Sequence, residues 1–226
     1  MKLYLSNLKK ILVLACYFSI ATQSLANNSA EIITLPYYNS AEFSPKWLKP
    51  ESEALKTFHT ISDFTFLNQE GLLISQKNLE NKLYVASFFF TSCPGICPKM
   101  RSQLSKVQQA FLNDEQVKII SHSIQPENDT VEVLKKYADD HGVNSNQWHL
   151  VTGDRDKIYE IARQDYFASE DLGEFVSNEN FLHTENLVLV DYNRHIRGIY
   201  NGLNKISVKH LIEDIKVLKL EQTNNQ

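Results

Sequence analysis

Residues 83–100 read LYVASFFFTSCPGICPKM, an almost uncharged, strongly apolar run that leads into two cysteines and a proline. Its first half, Leu83–Phe90, is aromatic and β-branched enough to predict a strand buried on both faces, as the inner strands of a parallel sheet are. Pro98 favours the start of a helix, because proline suits the first helical position. Apolar residues then recur at helical spacing, at Met100, Leu104, Val107 and Phe111. The pattern predicts a buried strand joined through the cysteines to an amphipathic helix that continues to residue 112.

The two cysteines of this stretch, Cys93 and Cys97, are four residues apart. One turn of helix or a tight loop can therefore direct both sulfurs to the same side. At the start of a helix, unpaired backbone N–H groups and the helix dipole favour thiolate over thiol, and thiolate is the form that attacks disulfides and binds metals. A disulfide that staples the loop is the structural alternative, although closing so short a loop removes little chain entropy.

Residues 1–26 have the features of a secretory signal peptide. Three lysines accompany an apolar run, Ile11–Ala21, and Ser24-Leu25-Ala26 offers a small-residue cleavage site. The run is too short to span a bilayer, so we expect secretion across the inner membrane and a mature protein in the periplasm. Processing as a lipoprotein at Cys16 is the alternative. It would keep the protein attached to the membrane through an N-terminal anchor, although Leu14 fits a lipidation motif poorly.

Length and composition limit the possible classes of protein. The chain has 226 residues, of which 42% are hydrophobic, enough for one α/β domain with an N-terminal extension. Residues 1–26 hold three lysines and no acidic residue, so their removal changes the net charge from −4 to −7 and argues against a nucleic-acid partner. Without Cys16, the secreted chain has no disulfide framework and only one close pair, which predicts a reversible Cys93–Cys97 disulfide.

The remaining chain divides into an arm and a domain. Residues 27–55 lack periodicity and predict an extended N-terminal arm, and residues 56–226 predict one folded domain. The domain opens with a hairpin over residues 61–74. Asp129 and Glu132 resemble the capping box of a helix that Gly142 ends. Further strands are predicted at 117–124, 148–151, 187–190 and 196–200, and further helices from Asp154 and from Ser207.

The order of these elements predicts the fold class. The sequence βββαβαβαββα, with parallel crossovers first and a closing hairpin, is typical of a thioredoxin-like α/β fold with a central mixed sheet flanked by helices. An acidic loop over residues 168–180 is inserted before the last two strands. His183 lies where this loop ends, and the strand that follows is expected to neighbour the cysteine-bearing strand.

Residues 89–100 closely resemble the copper-site motif of the Sco/SenC family of thioredoxin-fold copper chaperones. The similarity extends over about residues 60–218, since other family signatures are matched at 123–130, 148–153 and 182–185. This resemblance implies that Cys93, Cys97 and His183 are copper ligands.

Donor chemistry agrees with this implication. Two thiolates and one imidazole form a soft set suited to Cu(I), whereas zinc, the main alternative, usually takes a fourth ligand.

Gln125 departs from the family, which typically has Asp before the proline. A carboxylate that could orient ligands or partners is then absent.

The resemblance also implies what the protein does. It predicts a metallochaperone, rather than an enzyme, that carries copper as Cu(I) or Cu(II) and delivers it to a cuproprotein, with the dinuclear copper site of cytochrome c oxidase subunit II as the expected acceptor. The alternative is a thiol–disulfide oxidoreductase that reduces acceptor cysteines or acts in redox sensing. Thioredoxins, however, space their cysteines by two residues and place a proline before the opposing strand, and Thr184-Glu185-Asn186 contains none. A peroxiredoxin would need a Pro…Thr approach that residues 88–92 lack.

Overall fold

The computed structural model describes residues 34–168 and 184–224, which belong to one compact unit. In this part of the chain the order of strands and helices is the predicted one. The strands are β1 (Thr65–Asn68), β2 (Leu73–Ser75), β3 (Leu83–Phe89), β4 (Val117–Ser123), β5 (Trp148–Thr152), β6 (Asn186–Val190) and β7 (Ile196–Asn201). The α-helices are α1 (Cys97–Ala110), α2 (Val131–His141), α3 (Arg155–Gln164) and α4 (Lys205–Asn224). Two 3₁₀-helices cover Glu53–Thr57 and Gln76–Leu79.

The seven strands form one sheet in the order β2-β1-β5-β4-β3-β6-β7. Strands β3, β4 and β5 are mutually parallel, and every other pairing is antiparallel, so the predicted mixed sheet is confirmed. Parallel strands end at the same side of a sheet, and in open α/β sheets that side is where ligands bind. The cysteines follow β3 at this side.

Strand β3 is buried at all seven positions, as its composition predicts. Its side chains alternate between two apolar layers. Leu83, Val85 and Phe89 pack in the layer that contains α1, α2 and α4, whereas Tyr84 and Phe88 pack in the layer that contains α3. Because helices cover both faces of the sheet, the strand has no solvent-facing position for a polar residue.

Several predicted boundaries differ from the structure by a few residues. The hairpin forms, but its first strand begins at Thr65 and not at residue 61. Helix α1 begins one residue before Pro98, at Cys97, and ends at Ala110. Helix α4 begins at Lys205, ahead of the predicted Ser207.

The capping box predicted at Asp129 is wrong. Helix α2 is capped by Thr130, whose side chain accepts a hydrogen bond from the backbone N–H of Val133. Both residue types are good N-caps, and the chain uses the second of them. The predicted end of this helix is right, since Gly142 adopts φ 67° there. Asp129 is thereby available for other contacts.

The N-terminal arm is described from residue 34 onward and packs at the end of the sheet where β3 and β7 begin. Tyr38 forms a β-bridge with Ile196. The buried guanidinium of Arg197 donates hydrogen bonds to the backbone oxygens of Leu35 and Pro36. Arg197 also pairs with the buried carboxylates of Asp191 and Glu221, at 3.1 and 2.9 Å. Across the described ranges, no helix is long and apolar enough to cross a membrane.

Candidate metal centre

The cysteine loop connects the end of β3 to the first turn of α1. The backbone N–H of Cys93 donates to the Phe90 oxygen at 3.3 Å, which closes a tight turn directly after the strand. Cys97 is the first residue of α1, and its N-cap, Ile96, has no capping side chain. The first N–H groups of the helix are therefore available to the loop, as expected for an uncapped helix start.

The structure brings the two sulfurs together. Cys93 and Cys97 are both free thiols, each only 6% exposed. The Cys97 thiol lies within hydrogen-bonding reach of the Cys93 sulfur. Gly95 lies beneath Cys93, and a Cβ at Gly95 would be 3.9 Å from that sulfur. The loop thus holds two neighbouring sulfur donors at the side of the sheet where the parallel strands end.

The two thiols differ in acidity. Burial opposes ionisation of Cys93, but hydrogen bonds from the Cys97 thiol and from the backbone N–H groups of Cys97, Gly95 and Ile96 outweigh it and lower the pKa of Cys93. Burial raises the pKa of Cys97 to about 12, and the negative charges of Cys93 and Asp129 act in the same direction. The expectation that the helix start favours thiolate therefore holds for Cys93 and fails for Cys97, because Cys97 faces the interior.

A small internal cavity adjoins Cys97. Apolar and aromatic residues of the strands and of α1 form much of its wall, which also includes Arg101. Two serine hydroxyls, Ser87 and Ser121, lie 2.8 Å apart in its lining. The indole N–H of Trp148 donates to the Ser121 oxygen at 2.9 Å. These serine and indole groups satisfy one another. A backbone hydrogen bond from Phe90 favours the charged form of Cys97, but burial of the thiol outweighs it.

Asp129 is a residue of this region whose role the sequence did not predict. Its carboxylate accepts hydrogen bonds from Thr91, two residues before Cys93, and from Ser123 at the end of β4. The sequence feature that could have indicated a role for Asp129 is its position within residues 123–130, one of the stretches that resemble the family's signatures.

His183, the third predicted ligand, lies outside the described residues. The chain is described again from Thr184, which is buried, and the backbone oxygen of Glu185 accepts the Gly202 N–H at 2.7 Å. Strand β6 neighbours β3, as predicted, and the two pair in antiparallel register with Val188 opposite Ala86. Strand β6 therefore starts at the side of the sheet that carries the cysteine loop. Within the described residues, no group of three or more His, Cys, Asp or Glu side chains could hold a metal ion.

Gln125, the departure from the family pattern, lies in the turn after β4. Its backbone oxygen accepts the N–H groups of Asn128 and Asp129, each at 2.9 Å. Its backbone N–H donates to the Ser123 hydroxyl at 3.2 Å. The turn is thus held through the main chain of Gln125, and these contacts do not require a carboxylate side chain at this position.

Comparison with known proteins gives concordant results. The sequence model of the SCO1/SenC family matches residues 52–219. The SCO1 protein homolog of Bacillus subtilis is 30% identical over 160 residues, which cover 70% of this chain and 82% of that protein. Among solved structures, BsSco, described as a member of the Sco family of cytochrome c oxidase assembly proteins with a disulfide switch, is 30% identical. It has a TM-score of 0.60 over 71% of this chain and 93% of its own.

A copper-bound structure shares the fold. ScoI of Bradyrhizobium japonicum, solved with copper bound, is 22% identical and has a TM-score of 0.56, covering 70% of this chain and 98% of its own. Together with BsSco, it identifies the fold as the thioredoxin-like fold of Sco proteins, as predicted.

Proposed function

This chain belongs to the SCO1/SenC family, and from that membership we propose that it is a copper metallochaperone. It binds one copper ion through Cys93, Cys97 and His183 and delivers it to a cuproprotein. The proposed acceptor is the dinuclear copper site of cytochrome c oxidase subunit II. The description of BsSco as a member of a family of cytochrome c oxidase assembly proteins supports this acceptor. The copper bound to ScoI supports copper as the metal.

One observation carries the proposal: two free, buried cysteines share one loop at the start of a helix. Thiolates select soft ions such as Cu(I), and hard cations prefer oxygen ligands. Copper is the cargo, and the chain's own task is to hold and release it. Cys93 offers a thiolate readily, whereas Cys97 must give up a proton as the metal binds, so binding releases protons.

The same proposal places the protein in the periplasm. Support comes from the signal-like residues 1–26, which lie outside the described ranges. Cleavage after Ala26 would release the protein, and lipidation at Cys16 would anchor it. The mass of the N-terminal peptide of protein purified from the periplasm and from the membrane fraction distinguishes the two.

Titration of the reduced mature protein against a Cu(I) chelator tests the function. We expect one Cu(I) per chain. Cys93→Ser and Cys97→Ser are each expected to weaken binding by more than about 100-fold, because even residues that only support a ligand cost about 10- to 100-fold when removed. Ser102→Ala, on the exposed side of α1, is the matched control and should bind like the parent protein. A stoichiometry near two, or full affinity in Cys93→Ser, would refute the proposal.

The unequal acidity of the thiols favours a second candidate function, thiol–disulfide exchange. Cys93 thiolate would attack a partner disulfide and form a mixed disulfide, releasing one partner thiolate. Cys97, after losing its proton, would then attack the Cys93 sulfur and release the second partner thiolate. The Cys93–Cys97 pair loses two electrons and becomes a disulfide, and the partner disulfide gains two electrons and becomes a dithiol.

Alkylation tests this division of roles. With limiting iodoacetamide at neutral pH, Cys93 is expected to react about tenfold faster than Cys97, because only the thiolate reacts. Peptide mass spectrometry gives both rates in one sample. The Cys97→Ser variant should accumulate a mixed disulfide with an oxidised partner peptide, and Cys93→Ser should not. Equal alkylation rates would remove the distinction between an attacking and a resolving cysteine.

A further inference from the structure

The carboxylate of Asp129 is buried, with no measurable exposure, and neutral donors surround it. Its Oδ1 accepts the Thr91 hydroxyl at 2.5 Å, and its Oδ2 accepts the Ser123 hydroxyl at 2.5 Å. The Thr91 backbone N–H lies between both oxygens, at 3.3 and 3.2 Å. No ion pair of Asp129 occurs among the residues that the structure describes. A buried carboxylate held only by hydrogen bonds is costly, and this one is used to join three chain segments.

Those segments meet directly before the cysteine loop. Phe89 and Ser123 are register partners at the ends of β3 and β4, and the Ile124 N–H donates to the Phe89 oxygen at 2.9 Å. Asp129 adds the next connection, to Thr91. The turn from Phe90 to Cys93 then begins from a fixed point.

We propose that Asp129 is a positioning residue for the Cys93–Cys97 site, acting through Thr91. The expected effect on Cu(I) release rests on the proposed function. The expected effect on the position and alkylation of Cys93 does not. By fixing Thr91, the carboxylate holds the Cys93 sulfur over the backbone N–H groups at the start of α1, close to Cys97. Gln125 cannot replace it, since the contacts of Gln125 are made within its own turn.

The hydrogen-bond inventory explains why a carboxylate is needed. Thr91 presents an N–H and an O–H donor, and the Ser123 hydroxyl already accepts the Gln125 N–H. With asparagine at position 129, the amide NH₂ would face one of these groups, and one hydroxyl proton would lose its acceptor. Asp129→Asn therefore keeps the shape of the side chain and breaks the connection.

Two variants and one control test the proposal. Thr91→Val removes the hydroxyl and retains the backbone N–H and the charge of Asp129, so that its effect reports position and not charge. Asp129→Asn removes charge and acceptor together. Asp139→Asn, whose exposed carboxylate lies on α2, is the matched control. Each full-length protein is compared in thermal unfolding, Cys93 alkylation rate and Cu(I) dissociation rate, at a temperature where all are folded.

We expect both test variants to slow Cys93 alkylation several-fold and to speed Cu(I) release about tenfold, and the control to match the parent. A fall in melting temperature with unchanged alkylation and release rates would overturn the proposal and leave Asp129 a structural residue only. If the parent protein itself binds no copper, the proposed function fails, and the alkylation rates alone decide whether Asp129 positions Cys93.

Discussion

Replacing His183 with alanine is expected to weaken Cu(I) binding at least about tenfold and to abolish copper delivery, while Cys93 and Cys97 still oxidise and re-reduce at parental rates. A copper carrier with two sulfur donors needs the third donor. A disulfide exchanger needs only the attacking thiolate, its resolving partner and access. Copper affinity, acceptor loading and thiol-exchange kinetics, all measured on the one variant, separate the two candidate functions.

His210→Ala provides the control for this experiment. His210 is exposed on α4, on a different element from the cysteine loop, and its removal should change none of the three measurements. Full copper affinity in His183→Ala, together with normal assembly of the acceptor in cells, would contradict the ligand assignment. Thiol–disulfide exchange would then be the preferred function.

The parts of the fold that the sequence predicts well are those fixed by local pattern. Strand β3 is apolar at every position because both of its faces are covered, and a run of this kind has few other solutions. The closing hairpin is equally predictable, since two apolar runs flank a polar turn at residues 191–195. The element order then follows, because parallel strands need crossover helices.

The contacts that shape the site depend on residues far apart in sequence, and local pattern does not contain them. Asp129 and Thr130 are both good N-caps, but the Asp129 carboxylate accepts hydrogen bonds from Thr91, 38 residues earlier, and from Ser123, and Thr130 caps α2. The acidity of the cysteines has the same origin. A helix start favours thiolate at both, but burial of Cys97 overrides this preference.

His122 is the least predictable residue of the core. It occupies β4 between two buried serines, with no measurable exposure. Neither ring nitrogen has a hydrogen-bond partner among the residues described. Four aromatic rings surround it with centroids 5.2 to 5.9 Å away, those of Phe64, Phe66, Phe88 and Tyr166. Burial alone lowers the pKa of His122 to about 3.

Acid is therefore expected to destabilise the fold through this residue. The unfolded chain protonates His122 below its ordinary pKa of about 6.5, and the folded chain does not until about pH 3. Within that window the unfolded state binds the extra proton. The free energy of unfolding consequently falls by up to about 1.4 kcal/mol for each pH unit as the pH decreases. Between pH 6.5 and pH 4.5 the loss from His122 alone is roughly 2 to 3 kcal/mol.

Urea unfolding of His122→Leu at a series of pH values measures this contribution. At neutral pH the variant should be at least as stable as the parent, because leucine fills the space between the four aromatic rings without burying unpaired nitrogens. The difference in free energy of unfolding between the variant and the parent should grow as the pH falls. The substitution should not remove the acid sensitivity entirely, since burial also lowers the pKa of His149, to about 4. His210→Leu, at an exposed position, should keep the parental slope. If the free energy of unfolding of His122→Leu depends on pH as steeply as that of the parent, His122 is protonated at little cost in the folded state. The four aromatic rings around it must then admit water below pH 6.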